Sequence, residues 1–567
     1  MSSTLEVGID DIQTYVPKLR ARCSDVVYHR HMRNNLETFL DVRFIATPNI
    51  DEDQVTFFFN SMVKVLDKNP ELVEKLPDVR LRVTDEGGID DSLSYALYTY
   101  PLVDMRYGTK FEHTVPIEGK LACISTGAAV PEALDAAILH GTITILGGTA
   151  DAFYQPASKL RKSPGELTAG SGGATAVISR NPRLVTIDRE SVREYSDFML
   201  DFWRGKVLGK NMVVHLKRYP ELAENGARSE VAYEFPAYKV VDQIEREVIH
   251  GSLLEHVDFI VAHRANGMMV WKTGASLGVH TLRTYHPARY GETLDEIRRI
   301  NPEVEREPFL DGLKNYHQSI EVISKLSQVT KLLKRRDSQV VLGKIDEGKQ
   351  MIGYYLGALD SLVGETHDEL RKMAENRLKL SNAEMLTDLR PLQKKVDDFD
   401  MERRSFIRAF MKTGYYKEEL VPKVQDSLEL PRYIGNAYPA QWLFGLQSTA
   451  VMSQRRGKDI VGKKVFIYSM GSGAAGMGFI GRFNEGVVEY ARNTDVSLIN
   501  DEQKMTVLTS MEKGGLDVYE GLLRRKITEP LQEVRSDDKV VVLSAIFRDR
   551  ERSYAFRDGV AIRKART

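Results

Sequence analysis

Cysteine is scarce in this sequence: Cys23 and Cys123 are the only two in 567 residues. So few exclude a disulfide framework and fit a reducing compartment such as the cytoplasm. Neither stands in a Cys-x-x-Cys pair or a Cys/His cluster, so no structural metal site is expected. Neither sign of charge is in excess, with 79 Lys plus Arg against 80 Asp plus Glu. That balance gives no basic field for nucleic acid and no acidic tail. No apolar run approaches the roughly 18 residues that a membrane span needs. The start, Met1-Ser-Ser-Thr-Leu-Glu, lacks the charged and apolar regions of a signal peptide, so a cytoplasmic protein is expected. There is no Gly-x-x-x-x-Gly-Lys-Ser/Thr loop, and the glycine-rich text at 170–173 lies before a strand rather than between strand and helix. A nucleotide-phosphate loop is therefore not indicated.

What is present centres on Leu121-Ala-Cys-Ile-Ser-Thr-Gly-Ala-Ala129, which runs into Pro131-Glu-Ala-Leu-Asp-Ala-Ala-Ile138. Ala is the best helix former, so Cys123 is placed at or just before a helix N-terminus. Unpaired N–H groups and the helix dipole favour a thiolate there. Ser125, Thr126, Gly127 and Ala128 are small enough to admit a substrate carbonyl. An isolated cysteine is commonly buried and inert; the residues around this one argue otherwise.

The rest of the chain supplies alternating strands and helices. Residues 5–17 alternate and end at Pro17, an opening strand and turn. In 51–68, Val55, Phe58, Phe59, Met62, Val63 and Leu66 share one helical face. An alternating strand from Val79 stops at Glu86-Gly-Gly, where a carboxylate facing a cleft would have its pKa raised toward the range of a general base; a solvated loop carboxylate is the alternative. Thr142–Gly148 and the stretch to Ile178 read as buried strands. Val257–His263 is an apolar strand ending in a histidine, a candidate acid or base or simply a loop histidine. Asn436 lies in a polar turn that enters a helix. Strand 462–473 closes in Gly-Ser-Gly, echoing Gly170-Ser-Gly-Gly173 and suggesting two related halves, and 539–556 reads as a hairpin.

The segments Val7-Gly-Ile-Asp-Asp-Ile, Tyr15-Val-Pro, Val83-Thr-Asp-Glu-Gly-Gly-Ile-Asp-Asp-Ser92 and the Cys123 run together resemble 3-hydroxy-3-methylglutaryl-coenzyme A (HMG-CoA) synthases of the thiolase superfamily. So do Pro164-Gly-Glu-Leu-Thr-Ala-Gly-Ser-Gly-Gly-Ala, His263, Ile434-Gly-Asn-Ala-Tyr438 and Tyr468-Ser-Met-Gly-Ser-Gly473. Glu86 precedes Cys123 by 37 residues and His263 follows it by 140, spacings close to the family's. The resemblance covers roughly residues 5–280 and 404–560.

The resemblance implies an α/β, thiolase-like fold of two similar halves layered α-β-α-β-α. The first half is 1–185; the second is 186–280 with 404–567; residues 281–403 form a helical insertion. It implies that Cys123 is acetylated by acetyl-CoA, that Glu86 removes a methyl proton, and that the enolate attacks acetoacetyl-CoA polarised by His263 with Asn436 assisting. Ser472 and Gly473 would bind substrate, and Gly471-Ser-Gly473 with the N–H groups around Cys123 would serve the oxyanions. Water then releases HMG-CoA, the early committed step toward mevalonate and isoprenoids. No metal or bound cofactor is implied, since coenzyme A arrives with the substrate. A homodimer through the N-terminal halves is expected.

Three features depart from the family: Ile124 and Met470 stand where aromatics are usual, lining or backing the cleft, and the insertion is long. Within it Leu310, Leu313, Tyr316, Ile320, Ile323, Leu326, Val329 and Leu333 form an amphipathic row, Ser381-Asn-Ala-Glu384 has capping-box spacing, and Lys331–Arg336 is basic, either a solvated face or a patch for an acidic partner. The rival readings are a β-branching relative acting on carrier-protein-bound acyl groups and a catalytically silent scaffold whose insertion binds a protein partner. A ketoacyl synthase would pair its cysteine with His and Asn or two His, which Glu86 argues against.

Overall fold

The structure, a computed structural model, describes residues 5–85, 95–119, 121–151, 165–197, 202–203, 206–208, 214–216, 221–222, 226–304, 401–510, 516–523, 526–533, 540–546 and 552–556. The first strands are β1 (Val7–Tyr15), β2 (Leu19–Arg22), β3 (Phe44–Ala46), β4 (Arg80–Asp85), β5 (Ile117–Gly119), β6 (Thr144–Asp151), β7 (Ser171–Arg180), β8 (Val185–Ile187) and β9 (Arg193–Ser196). Two short ribbons follow, β10 (Phe202–Trp203) with β13 (Glu221–Leu222) and β11 (Lys206–Leu208) with β12 (Val214–Leu216). The remainder are β14 (Phe259–Ala262), β15 (Lys464–Gly471), β16 (Ala475–Phe483), β17 (Thr506–Val507), β18 (Val541–Ile546) and β19 (Arg552–Phe556).

The large sheet runs β14-β15-β16-β8-β1-β7-β6-β4-β5, with β9 beside β16. Its two sides repeat one pattern. On one side β4 is parallel to β6, β6 antiparallel to β7, and β7 antiparallel to β1. On the other, β14 is parallel to β15, β15 antiparallel to β16, and β16 antiparallel to β8. The sides meet where β1 and β8 pair antiparallel, Gly8 opposite Thr186 and Ile9 opposite Val185. A two-fold pseudo-axis there relates β4 to β14, β6 to β15 and β7 to β16. The helices obey it too: helix Ser125–His140 precedes β6 as helix Gln441–Arg455 precedes β15. The two related halves expected from the Gly-Ser-Gly echo are thus explicit in the topology.

Helix Ser125–His140 packs on β4 and β6 of its own half and on β15 of the other, while helix Gln441–Arg455 packs on β14 and reaches across to β7. These two form the middle layer. Helices Gln54–Lys68 and Gly226–Ile244 lie on the outer faces, on β1, β6 and β7 and on β15 and β16 respectively. Helix Gln54–Lys68 starts where it does because Asp53 and Thr56 cap each other, the Thr56 N–H donating to Asp53 Oδ1 at 3.0 Å and the Asp53 N–H to Thr56 Oγ1 at 2.8 Å. Its row of Val55, Phe58, Phe59, Met62, Val63 and Leu66 is buried, as its spacing predicts.

β4 is a strand as expected, and a buried one. Alternation in Val79-Arg-Leu-Arg-Val-Thr implies one wet face, yet the strand is buried almost throughout because β5 and β6 flank it and helices cover it. Arg82 is tolerated by pairing with Glu132, its Nε to Oε2 at 3.1 Å and Nη2 to Oε1 at 2.5 Å. The C-terminal strands return to the first half. β17 pairs with β2, and the β18–β19 hairpin rests on helix Gln54–Lys68, with Asn60 bonded to both polar groups of the Val541 main chain and the Tyr554 hydroxyl donating to Asp53. Of the span 281–403, residues 281–304 and 401–403 are described, including helix Pro287–Ile300. The row Leu310–Leu333, the Ser381 box and the Lys331–Arg336 run lie outside the described residues.

One close contact between the halves is at Gly127, where a Cβ would lie 2.5 Å from Ser469 Cβ on β15. Ala in a helix interior gains about 1 kcal/mol over Gly, but an unrelievable clash between two Cβ atoms costs roughly 1–3 kcal/mol or more. Gly127→Ala is therefore expected to lower the urea midpoint. Gly291→Ala, on the exposed helix Pro287–Ile300 with nothing within 4 Å of the added carbon, should raise it.

Candidate active site

The residues singled out in the sequence come from four places in the fold. Cys123 lies two residues ahead of helix Ser125–His140, as expected from the small-residue run. It is 5% exposed and packs against Ala150 at the end of β6, Ala169 and Tyr438. Ala150 and Ala169 are small, so space beside the thiol is bounded by main chain rather than by bulky side chains. The preceding residue, Ala122, has φ +48°, a left-handed conformation uncommon for a residue with a Cβ and frequent at functional turns.

Asn436 stands five residues before helix Gln441–Arg455. Its main chain is stitched to the turn that precedes β7: the Asn436 N–H donates to Thr168 O at 2.5 Å and the Gly170 N–H donates to Asn436 O at 2.9 Å. Its Oδ1 accepts the Tyr438 N–H at 2.9 Å. That bond commits the carbonyl side of the amide and leaves its NH2 group as the donor. The turn before β7 is itself held from behind, since Glu166 is buried and paired with Arg30, Nη2 to Oε1 at 3.0 Å.

His263 follows β14 and is fully buried. Its N–H donates to Tyr468 O at 2.7 Å on the adjacent β15, and its carbonyl accepts the Tyr233 hydroxyl. Burial pushes the imidazole down to about 3; the Tyr438 main chain approaches the ring and offsets part of this without closing an aligned hydrogen bond. The side chain is thus a neutral imidazole at ordinary pH, fit to donate or accept one hydrogen bond to a carbonyl oxygen. Tyr438 is the shared neighbour. It touches Cys123, bonds Asn436 and faces His263, in a left-handed conformation of its own at φ +47°.

The Gly471–Gly473 turn joins the same site through Ile124. A Cβ on Gly471 would fall 2.8 Å from Ile124 Cγ2 and 3.2 Å from Ile124 N, so only glycine lets this turn lie against the residue after Cys123. Ser472 and Gly473 are half-buried there, Gly473 at φ +93°. Ile124 and Met470 themselves sit in separate hydrophobic cores, each 4% exposed; they back the site rather than line it. Glu86 lies outside the described residues; β4 ends at the fully buried Asp85. The pseudo-axis relates the C-terminal end of β4 to that of β14.

Three contributors are not apparent from the sequence. Tyr438 gathers the site, Tyr233 pins the His263 carbonyl, and Arg264 fixes the wall behind it. Arg264 is 1% exposed, donates to Pro431 O at 3.3 Å and to the Asp41 carbonyl, and is pushed by burial down to about 10 despite the Asp41 carboxylate 4.0 Å away. A charged residue directly after an apolar strand and its histidine is the one signal that marks it.

A duplicated sheet with a cysteine leading into a middle-layer helix is the thiolase-like fold, as expected. Within that class, residues 369–511 match the family model of the hydroxymethylglutaryl-coenzyme A synthase C-terminal region. The chain is 27% identical over 146 residues to the hydroxymethylglutaryl-CoA synthase of Haloferax volcanii, which is 25% of this chain and 31% of that protein. It is 25% identical over 202 residues to the Enterococcus faecalis hydroxymethylglutaryl-CoA synthase, or 35% and 49%. The matched stretches thus span about a third to a half of these curated relatives. Among solved structures, MvaS in complex with 3-hydroxy-3-methylglutaryl coenzyme A superposes with TM-score 0.62 at 16% identity, covering 98% of this chain and 99% of that one. The curacin-pathway HMG synthase in complex with holo donor-ACP gives 0.59 at 16%, covering 97% and 100%. In these stretches the chain is similar to hydroxymethylglutaryl-CoA synthases, and over its length it shares their fold.

The buried His263 carries a pH signature. The unfolded imidazole takes a proton near 6.5, the folded one only near 3. Its contribution to stability is therefore whole above pH 6.5 and lost as the pH falls toward 3. Between pH 7 and 4.5, urea unfolding of the wild type should lose about 2 kcal/mol more than that of His263→Gln; parallel pH profiles would contradict the burial.

Proposed function

We propose that the protein is a hydroxymethylglutaryl-CoA synthase that condenses acetyl-CoA with acetoacetyl-CoA through an acetyl-Cys123 intermediate, serving mevalonate and isoprenoid synthesis. The observation that carries the reading is the gathering of Cys123, Asn436 and His263 around Tyr438. Homology to the synthases supports it. Cys123 attacks the acetyl thioester, its S–H proton leaving and coenzyme A departing as the free thiol. Glu86 takes one methyl proton, and the enolate carbon bonds to the ketone carbon of acetoacetyl-CoA. The neutral His263 imidazole donates a hydrogen bond to the new alkoxide, which takes up the proton that Glu86 removed. The Asn436 NH2 and the Gly471–Gly473 turn stabilise the oxyanions. Water then cleaves the Cys123 thioester, giving HMG-CoA and the free thiol.

A second reading keeps the chemistry and changes the carrier, with the acyl groups held on an acyl carrier protein. It draws on the structural likeness to the curacin-pathway synthase, solved with a donor-ACP. One measurement separates the two: intact mass after brief exposure to acetyl-CoA, on wild type and Cys123→Ala, then a chase with acetoacetyl-CoA. A single acetyl adduct, absent in the variant and discharged as HMG-CoA, is expected. An adduct taken only from a loaded carrier would favour the second reading, and none from either donor would refute both.

The homodimer is part of the same proposal. β5 is the edge of the sheet, and Val115, Ile117 and Leu121 around it are 79%, 47% and 58% exposed. An uncovered apolar edge invites strand pairing with a second chain. Light scattering should give a dimer for the wild type and a monomer for Ile117→Lys; a monomeric wild type would end this part of the reading.

A further inference from the structure

Helix Ser125–His140 begins without a side-chain cap at Ile124, and the hydroxyl of its first residue bonds the turn before it. Ser125, 4% exposed, turns its side chain back over the three residues before the helix. Its Oγ donates to Ala122 O at 2.7 Å and accepts the Leu121 N–H at 2.6 Å, while its own N–H donates to Ala122 O at 3.2 Å. Leu121 and Cys123 bridge each other across the intervening Ala122. Ala122 is held at φ +48°, where a Cβ is unfavourable and the surroundings must supply the restraint. The next residue anchors the assembly to the sheet: Thr84 Oγ1 donates to Gly147 O at 2.9 Å, so Thr126 Oγ1, 2.5 Å away, donates to Thr84.

We propose that Ser125 is a positioning residue for the reaction, a hydroxyl clamp that closes the strained Leu121–Ala122–Cys123 turn and thereby fixes where the thiol points. The proposal rests on the reading of Cys123 as the acyl-accepting nucleophile. Without the clamp, the Leu121 N–H loses its acceptor and Ala122 relaxes toward an ordinary conformation, turning Cys123 away from Tyr438 and Ala150. Such a displacement acts on the acyl-transfer step rather than on overall folding, because the helix beyond Thr126 keeps its own contacts.

The test compares wild type, Ser125→Ala, Ser125→Thr and the double variant Ala122→Gly/Ser125→Ala. The rate of acetylation at saturating acetyl-CoA and the rate of iodoacetamide alkylation are read at the Cys123 peptide by mass. Ser125→Ala should acetylate about ten-fold more slowly, a loss of the size that small misplacements cause, with the concentration for half-maximal rate little changed. Ser125→Thr keeps the hydroxyl and should hold near the wild-type rate. The double variant should recover most of the loss, since glycine adopts the Ala122 conformation without restraint. Wild-type rates in Ser125→Ala, or a double variant that folds and stays slow, would overturn the proposal. If Ser125→Ala does not fold, the double variant decides in its place. If wild-type Cys123 is alkylated but never acetylated, the synthase reading fails, and the alkylation rates alone decide the role of Ser125.

Discussion

The site depends on how closely one helix can approach a strand from the other half of the molecule. Helix Ser125–His140 belongs to the first half by sequence, yet it lies on β15 of the second. Two missing side chains set that distance, Gly127 against Ser469 and Gly471 against Ile124. Move the helix outward by one methyl group and the Gly471–Gly473 turn no longer reaches the residues next to Cys123. Interiors are close-packed and transmit such displacements rather than absorb them. Cys123 and the turn that faces it are therefore positioned by packing density before any polar contact is counted.

The duplication explains why the functional groups converge although they are far apart in sequence. The pseudo-axis between β1 and β8 maps the start of one middle helix onto the start of the other. Cys123 precedes the first and Asn436 the second, and their surroundings interlock through Ala169, Gly170 and Tyr438. It likewise maps the end of β4 onto the end of β14, where His263 sits. Burial at this junction has a chemical consequence. A fully buried imidazole with no facing carboxylate among the described residues stays neutral, so what it can offer an oxygen is a hydrogen bond rather than a standing charge.

Much of this was legible in the sequence, for reasons that are local. Strand and helix periods marked β1, β6, β7, β14, β15 and helix Gln54–Lys68, and the small-residue run placed Cys123 ahead of a helix. The alternation in β4 marked the strand but not what buries its arginine, since Glu132, fifty residues away, takes up Arg82. Tyr438, Tyr233 and Arg264 were invisible as site residues since their roles consist of contacts with distant main chain: the Tyr233 bond to His263 spans 30 residues and the Arg264 bond to Pro431 spans 167. The left-handed turn at Ala122 was equally hidden. Glycine or asparagine would have announced it; alanine does not, and the hydroxyl that holds it lies three residues on.

The fold is shared with a protein solved in complex with 3-hydroxy-3-methylglutaryl coenzyme A and with one solved in complex with a donor-ACP. On the proposed reading, both kinds of donor would present a thioester to Cys123, so the bond changes there would be identical and selection among donors would not reside in the groups that perform them. Uniform recognition of the thioester leaves discrimination to whatever meets the far end of the donor, a nucleotide with phosphates or the face of a folded protein. Ile124 and Met470 point to the same division. Placed in cores behind the site, they back the thiol and the opposing turn rather than face a donor.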